Sequence, residues 1–398
     1  MRIGLFTNNY RPLANGLATS VETFAQAFRR AGHVVTVVAP RYGPGIEAEP
    51  DVVRVPGLRA PTHHAYVLPL SRWPGVAQAV FSLDLDLFHA QHPFLLGAAA
   101  GRWARRLGRP LVFTYHTHYD RYAHYVPGPS RLVARLAVRQ AIAFANHADL
   151  VIAPTAAVAR ELRERGLRTR VEVVPTGVTL SPIFTEADRW EARHALGLGQ
   201  GNPLYLSVGR LAREKNQAFL LSAFAVILTE LPTARLVLVG EGDDRPRLER
   251  MASGLGIRDR MRFVGAVPHE IVGAYHQAAD LFLFSSTSET QGLVVLEALA
   301  AGLPVVAVSS EAVEDLLQAE GGGATVPEDP AAFARQALTL WRQSERRQTM
   351  RVAGRRIAAR FAPDAMAARM LELYQDLVEA CRTIPLQKKS LRSQEVKT

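Results

Sequence analysis

The feature that most narrows the possible fold is a repeated alternation of short apolar runs with helical stretches. Ile3–Thr7, Val34–Ala39, Leu87–Ala90, Leu111–Tyr115, Leu150–Ala153 and Val171–Val174 form one series. Leu204–Val208, Arg235–Val239, Met261–Val264, Leu281–Ser285 and Val305–Val308 form a second. Strands this continuously apolar are buried on both faces, and helical patterns between them supply the covering layers. The sequence therefore predicts an α/β protein of two doubly wound, mainly parallel sheets. Its 398 residues exceed what one core accommodates, which fits two units rather than one.

Between the series the pattern loosens over Thr176–Pro203, with Pro182, Gly197, Gly199 and Gly201. This reads as the inter-domain connection. The expected division is residues 1–180, residues 181–362, a helix over 363–382 and a mobile basic tail over 383–398. In the first half, Thr19-x-x-Glu22 reads as a capping box opening a helix to Arg30. Neither a short repeat nor a low-complexity tract stands out.

Charge is unevenly placed. The chain carries a net +10, yet residues 1–180 hold 21 arginines, no lysine and 11 acids, so the whole surplus lies there. A basic half implies an anionic partner. A solitary cysteine, Cys381, rules out an intrachain disulfide and fits a reducing compartment. No apolar run approaches the roughly 20 residues that span a bilayer. The first residues pass straight into strand-like sequence rather than a signal peptide, so a cytoplasmic protein is expected.

Two segments of the second half combine into a phosphate site. In Ser207-Val-Gly-Arg-Leu-Ala-Arg-Glu-Lys-Asn216 a strand ends at Gly209, and Arg210 and Lys215 follow. Open α/β sheets bind ligands at that end of a strand, and paired cations neutralise a diphosphate. In Phe282-Leu-Phe-Ser-Ser-Thr-Ser-Glu289-Thr-Gln-Gly292-Leu-Val-Val-Leu-Glu297 a strand runs through a polar loop into a helix near Gly292. The amides of Gly292, Leu293 and Val294 would point at an anion. Glu297, inside an apolar helix, needs hydroxyl donors such as those of a ribose.

Glu289 and Glu297, followed by Ala-Leu-Ala-Ala-Gly302-Leu-Pro304, resemble the signature of family-4 retaining glycosyltransferases with the GT-B fold. The resemblance covers residues 1–382 and includes Asn15-Gly16, Gly32-His-Val-Val-Thr-Val, Pro175-Thr-Gly-Val, Gly209-Arg with Lys215, and Val239-Gly-Glu-Gly. It implies two Rossmann-like domains, an N-terminal one for the acceptor and a C-terminal one for a nucleotide sugar. It further implies that Gly16 and Gly209 let backbone approach the diphosphate and that Arg210 and Lys215 neutralise it. Glu297 would bind ribose and Glu289 the transferred sugar, with the base near Val264–Val267. The nucleotide sugar is a substrate, and neither a metal nor another cofactor is implied.

A narrower resemblance rests on Thr114-Tyr-His116-Thr-His-Tyr119-Asp120-Arg-Tyr122-Ala-His124 with Glu289-Thr-Gln-Gly292. This stretch is similar to bacterial diacylglycerol glucosyltransferases, which move glucose from UDP-glucose to a membrane lipid. It implies that His116 orients sugar or acceptor in the cleft, with Tyr119, Tyr122 and His124 in the acceptor loop. Asp120 stands where such enzymes carry Glu, and Thr179 where the family commonly has Asp. The resemblance also implies attack by the acceptor hydroxyl on the face the diphosphate leaves, the departing oxygen taking the proton.

Arg131, Arg135 and Arg139 fall four apart on a helix beside Leu132 and Leu136, and Trp103 lies amid Arg102, Arg105 and Arg106. Both suit an anionic membrane surface, which places the protein peripherally on the inner face of the cell membrane. Nucleic acid is disfavoured because no recognition module is visible. Asp84-Leu-Asp86 and the pairs His63/His64, His89/His92 and His116/His118 lack a metal-ligand pattern. Acceptors other than diacylglycerol, such as phosphatidylinositol or a soluble saccharide, remain open, as do a nucleotide-sugar epimerase, a non-catalytic carbohydrate binder, and the oligomeric state.

Overall fold

The computed structural model describes residues 1–395 apart from 14, 44–48, 61–65, 122–129, 200 and 318–320, with side chains described up to Thr383 except at Ser130. The chain forms two compact units. One comprises Met1–Leu13, Leu17–Gly177 and the residues from Pro363 onward, and the other comprises Val178–Ala362 together with Asn15 and Gly16.

The N-terminal unit runs β1 (Arg2–Phe6), α1 (Gly16–Arg30), β2 (Val34–Pro40), β3 (Val52–Val55), β4 (Gly57–Arg59), β5 (Val67–Pro69), α2 (Val76–Phe81), β6 (Leu87–Ala90), α3 (Leu96–Leu107), β7 (Leu111–Thr114), α4 (Ser130–Ala145), β8 (Leu150–Ala153), α5 (Ala156–Glu164) and β9 (Val171–Val173). Seven strands make one parallel sheet in the order β3-β2-β1-β6-β7-β8-β9, while β4 and β5 pair antiparallel as a separate ribbon. Strands such as β6, β7 and β8 are buried along their whole length, because helices cover both faces.

The C-terminal unit runs α6 (Glu186–Ala195), β10 (Leu204–Val208), α7 (Gln217–Glu230), β11 (Arg235–Val239), α8 (Arg245–Gly254), β12 (Met261–Gly265), α9 (His269–Ala278), β13 (Leu281–Phe284), α10 (Leu293–Ala300), β14 (Val305–Val308), α11 (Glu311–Leu317), β15 (Gly323–Val326), α12 (Pro330–Arg342) and α13 (Ser344–Ala359). Its sheet is parallel throughout, in the order β12-β11-β10-β13-β14-β15. The order reverses between β10 and β13, as it does between β1 and β6 in the other sheet. Loops leaving those strands diverge to opposite faces and open a crevice at their carboxyl ends.

Four sequence expectations need correcting. The first concerns α1, which begins at Gly16 rather than at Thr19. Glu22 does not close a capping box; it accepts from Tyr10 OH and from Gln26 Nε2. The second is the loose connection, which contains α6, capped by Thr185 and Asp188 in a reciprocal box. Arg189 and Arg193 of that helix are buried and each reaches Asp280 at 2.7 Å, tying α6 to the base of β13.

The third is the last helix, α14 (Pro363–Glu395), which continues past Arg382 where a mobile tail was expected. Nor is it a separate element. Ala367, Met370, Leu371, Tyr374 and Val378 pack into the core that holds Ile3, Phe28, Val35 and Leu87, so the chain's end belongs to the N-terminal unit. Fourth, β3, β4, β5 and β15 lie outside the apolar runs, being short, partly exposed or glycine-bearing.

Candidate active site

In the C-terminal unit the loops after β10 and β13 meet. Gly209 takes φ +150°, and its amide bonds Val239 O at 2.9 Å. Leu211 N donates to Glu241 O at 3.1 Å, so the two neighbouring loops are stitched through backbone. This stitching requires glycines. A Cβ on Gly240 would sit 2.0 Å from Gly209 O, and one on Gly242 would sit 2.2 Å from Leu211 O. Val239-Gly-Glu-Gly carried the family likeness without a stated role, and its role here is close backbone approach that sets the path of residues 209–212.

Arg210 is paired with Glu214, four residues on, whose side chain is almost entirely buried. Lys215 Nζ lies 2.6 Å from Glu289 Oε1, with both side chains less than a fifth exposed. Hydroxyls fix this geometry from below, Ser285 Oγ donating to Lys215 O at 3.0 Å and Ser288 Oγ to Glu214 O at 2.9 Å. The cation-bearing loop and the carboxylate-bearing loop are thereby held as one piece. Glu214 and the two serines were not singled out in the sequence; the short spacing of Glu214 from Arg210 was the available signal.

Gly292 caps α10 in a left-handed conformation with φ +75°, which favours glycine there. Val295 and Leu296 donate back to Gly292 O, leaving the Leu293 and Val294 amides ahead of the helix ladder. Glu297 sits one turn in. Part of it remains reachable by solvent, but its surroundings are crowded with apolar groups, and burial pushes its carboxyl up to about 7. No described residue is recorded donating to it. Val267 is half-buried and packs against the same apolar cluster as Val264 and Val294.

In the N-terminal unit His116 follows β7, and its Nε2 lies 2.7 Å from Gln91 Oε1. The carbonyl oxygen of Gln91 makes Nε2 the protonated nitrogen, given the amide orientation drawn. Burial, then His92 and His89, hold His116 down at about 3, so the ring is neutral at any physiological pH. His89 is core structure between Thr114 Oγ1 at 2.7 Å and Tyr374 OH at 2.5 Å. Gly16 is the first residue of α1, where a side chain would meet open space.

Other predicted positions fall differently. Tyr119 is buried against Phe94 and Tyr115, so its ring packs the core rather than lining an acceptor surface, although its hydroxyl lacks a partner among the described residues. Tyr122, His124 and the His63/His64 pair lie outside the described residues. Trp103 is only 8% exposed and its ring lies against Phe6, which overturns its assignment as a membrane contact. The periodicity of α3 turns that position to the sheet. Arg131, Arg135 and Arg139 are exposed, as are Leu132 and Leu136. Asp86 accepts from Arg2 N at 2.9 Å and from Arg382, and Asp84 lies near Arg109, so both serve local structure. No set of three metal-capable side chains gathers among the described residues.

Two Rossmann-like units, each a parallel sheet reversing at its centre, define the GT-B class of glycosyltransferase. The chain belongs to glycosyltransferase family 4. Residues 14–181 match the family described as Glycosyltransferase Family 4, and residues 188–357 match Glycosyl transferases group 1. The alpha-monoglucosyldiacylglycerol synthase of Streptococcus pneumoniae is 33% identical over 334 residues, which are 81% of this chain and 75% of that protein. The synthase of the same name from Acholeplasma laidlawii is 30% identical over 332 residues, covering 77% and 80%. Among solved structures, Anabaena HepE in complex with UDP and glucose superposes with a TM-score of 0.78 at 21% identity, over 95% of this chain and all of that one.

Proposed function

We propose that this glycosyltransferase moves glucose from UDP-glucose to the free hydroxyl of a diacylglycerol, with retention of configuration. The observation that carries the reading is the joined loop pair in the C-terminal unit, where Arg210, Lys215, Glu289 and the start of α10 converge. The printed names of the two synthases support the acceptor class and an α-linked product.

In this reading the acceptor oxygen attacks the anomeric carbon as its bond to the diphosphate breaks. The departing phosphate oxygen takes the acceptor proton, so no separate strong base is needed. Arg210, Lys215 and the amides at the start of α10 stabilise the charge growing on the leaving group, and no metal ion is assigned to that task. Glu297 accepts from the ribose hydroxyls and Glu289 from the sugar. Neutral His116, unable to take up a second proton near pH 7, orients sugar or acceptor as a hydrogen-bonding group. Residues Arg131, Arg135 and Arg139 hold the enzyme peripherally on the inner membrane face through anionic headgroups. Among the described residues no helix is long and apolar enough to cross a membrane.

The test is incubation of the pure protein with UDP- and GDP-linked glucose, galactose, mannose and N-acetylglucosamine, each with detergent-dispersed diacylglycerol, phosphatidylinositol or a soluble saccharide. Mass and anomeric analysis should find α-glucosyldiacylglycerol from UDP-glucose. A product confined to another donor, or to the soluble acceptor, would overturn the assignment.

A further inference from the structure

With Trp103 buried, the exposed tryptophan of the basic unit is Trp73, and its neighbourhood is unusual. On the β4–β5 ribbon, Leu58 stands directly opposite Leu68 in the pairing register. The two are 63% and 42% exposed, while Val67 is buried on the inner side. Trp73 is 53% exposed in the turn that follows, and that turn is anchored by Leu70 N donating to Pro56 O at 2.8 Å and Trp73 N to Leu70 O at 2.9 Å. The two strands approach closely at Gly57. A Cβ on Gly57 would come within 2.5 Å of Val67 Cγ1 and 2.6 Å of Leu68 O, so the strands are closer there than any other residue permits. Three large apolar side chains are thus presented to solvent by a paired β-ribbon and the turn that follows it.

The charge around them has one sign. From Val52 to Leu83 the sequence contains no acid, and Arg54, Arg59 and Arg72 lie within it. Arg54 is turned inward onto Glu49, whereas Arg59 and Arg72 are exposed and no ion pair to a described residue is recorded for either. Leucines and an indole flanked by unneutralised guanidiniums match a bilayer interface. The apolar groups leave water at the acyl boundary, Trp favours the headgroup level, and arginines meet anionic phosphates.

We propose that the β4–β5 ribbon with Trp73 is a membrane-docking element that inserts into the interface of an anionic bilayer, independently of the arginine-bearing face of α4. The inference rests on the lipid-acceptor reading, since such an acceptor must be reached at a membrane. It assigns the docking to a β-ribbon and its turn rather than to a helix face alone.

The experiment uses the full chain and vesicles of phosphatidylcholine with or without phosphatidylglycerol. Vesicle binding by the Leu58→Ser/Leu68→Ser/Trp73→Ser variant should fall about tenfold or more, and Arg59→Glu/Arg72→Glu should fall similarly on anionic vesicles alone. Brominated lipid should quench a tryptophan component that Trp73→Phe removes. Transfer to detergent-dispersed acceptor should stay at the wild-type level in all three variants, which also reports intact folding; the charge variant keeps the test open should the triple one fail to fold. Unchanged vesicle binding in both multiple variants, or absence of Trp73 quenching, would overturn the inference. So would a wild-type dimer by light scattering that the triple variant turns into monomer without altered vesicle binding. Absence of transfer to any lipid by wild-type protein whose Trp73 is still quenched would overturn the lipid-acceptor reading and leave the docking element standing.

Discussion

The pair between Lys215 and Glu289 makes a prediction whose two halves have opposite signs. The cation assigned to the diphosphate is held 2.6 Å from a carboxylate, in surroundings where both groups are mostly buried. A diphosphate entering this loop pair gains Lys215 but meets the charge of Glu289. Lys215→Met removes a charge-assisted contact worth about 1.5–3 kcal/mol, so UDP should bind roughly 10- to 150-fold more weakly. Glu289→Gln keeps the shape and removes the competing charge, worth about 1 kcal/mol in a partly screened site, so UDP should bind roughly fivefold more tightly. Turnover with UDP-glucose should fall in both variants, because Glu289 is assigned to the sugar. Isothermal titration with UDP, which carries no sugar, separates the two effects. Wild-type affinity in Lys215→Met, or weakening in Glu289→Gln to the extent of Lys215→Met, would refute the reasoning.

Three further outcomes follow from the geometry. Glu297, whose carboxyl is raised to about 7, binds its proton more tightly in the folded chain than in the unfolded one, so stability should decline as pH rises from about 4 to 7. The decline is at most about 3 kcal/mol and smaller because the group is partly solvated; Glu297→Gln should flatten it in denaturant titrations across that range, and UDP affinity should rise through about pH 7 only in the wild type. Gly240→Ala places a methyl 2.0 Å from Gly209 O at φ +136°, which should lower stability by about 2–4 kcal/mol and weaken UDP binding through displacement of residues 209–212, measured by urea unfolding and titration. Trp103→Ala should destabilise the N-terminal unit by about 3–5 kcal/mol while leaving vesicle binding of the folded protein unchanged, because the ring is core and not surface.

The pattern of apolar runs was enough to specify the strands of both parallel sheets apart from the edge strands β3 and β15, because strands buried on two faces leave an unbroken hydrophobic signature that local reading detects. It was likewise enough to bring forward Gly209, Arg210, Lys215, Gly292 and Glu297, since ligand-binding loops in such sheets sit at predictable strand ends; Glu289 was assigned through the family resemblance. Tertiary packing decided what spacing alone could not. Trp103 sits among arginines in sequence but faces Phe6 in space, because the side a residue takes on α3 depends on where the sheet lies. The helix from Pro363 reads as an appendage in sequence, yet Tyr374 buries its ring against Phe28 and bonds His89. That placement arises from contacts across hundreds of residues, which no local periodicity encodes. Exposure of Leu58, Leu68 and Trp73 belongs to the same class of fact. Apolar residues are inward by default, and only a ribbon standing off the main sheet leaves these three in water.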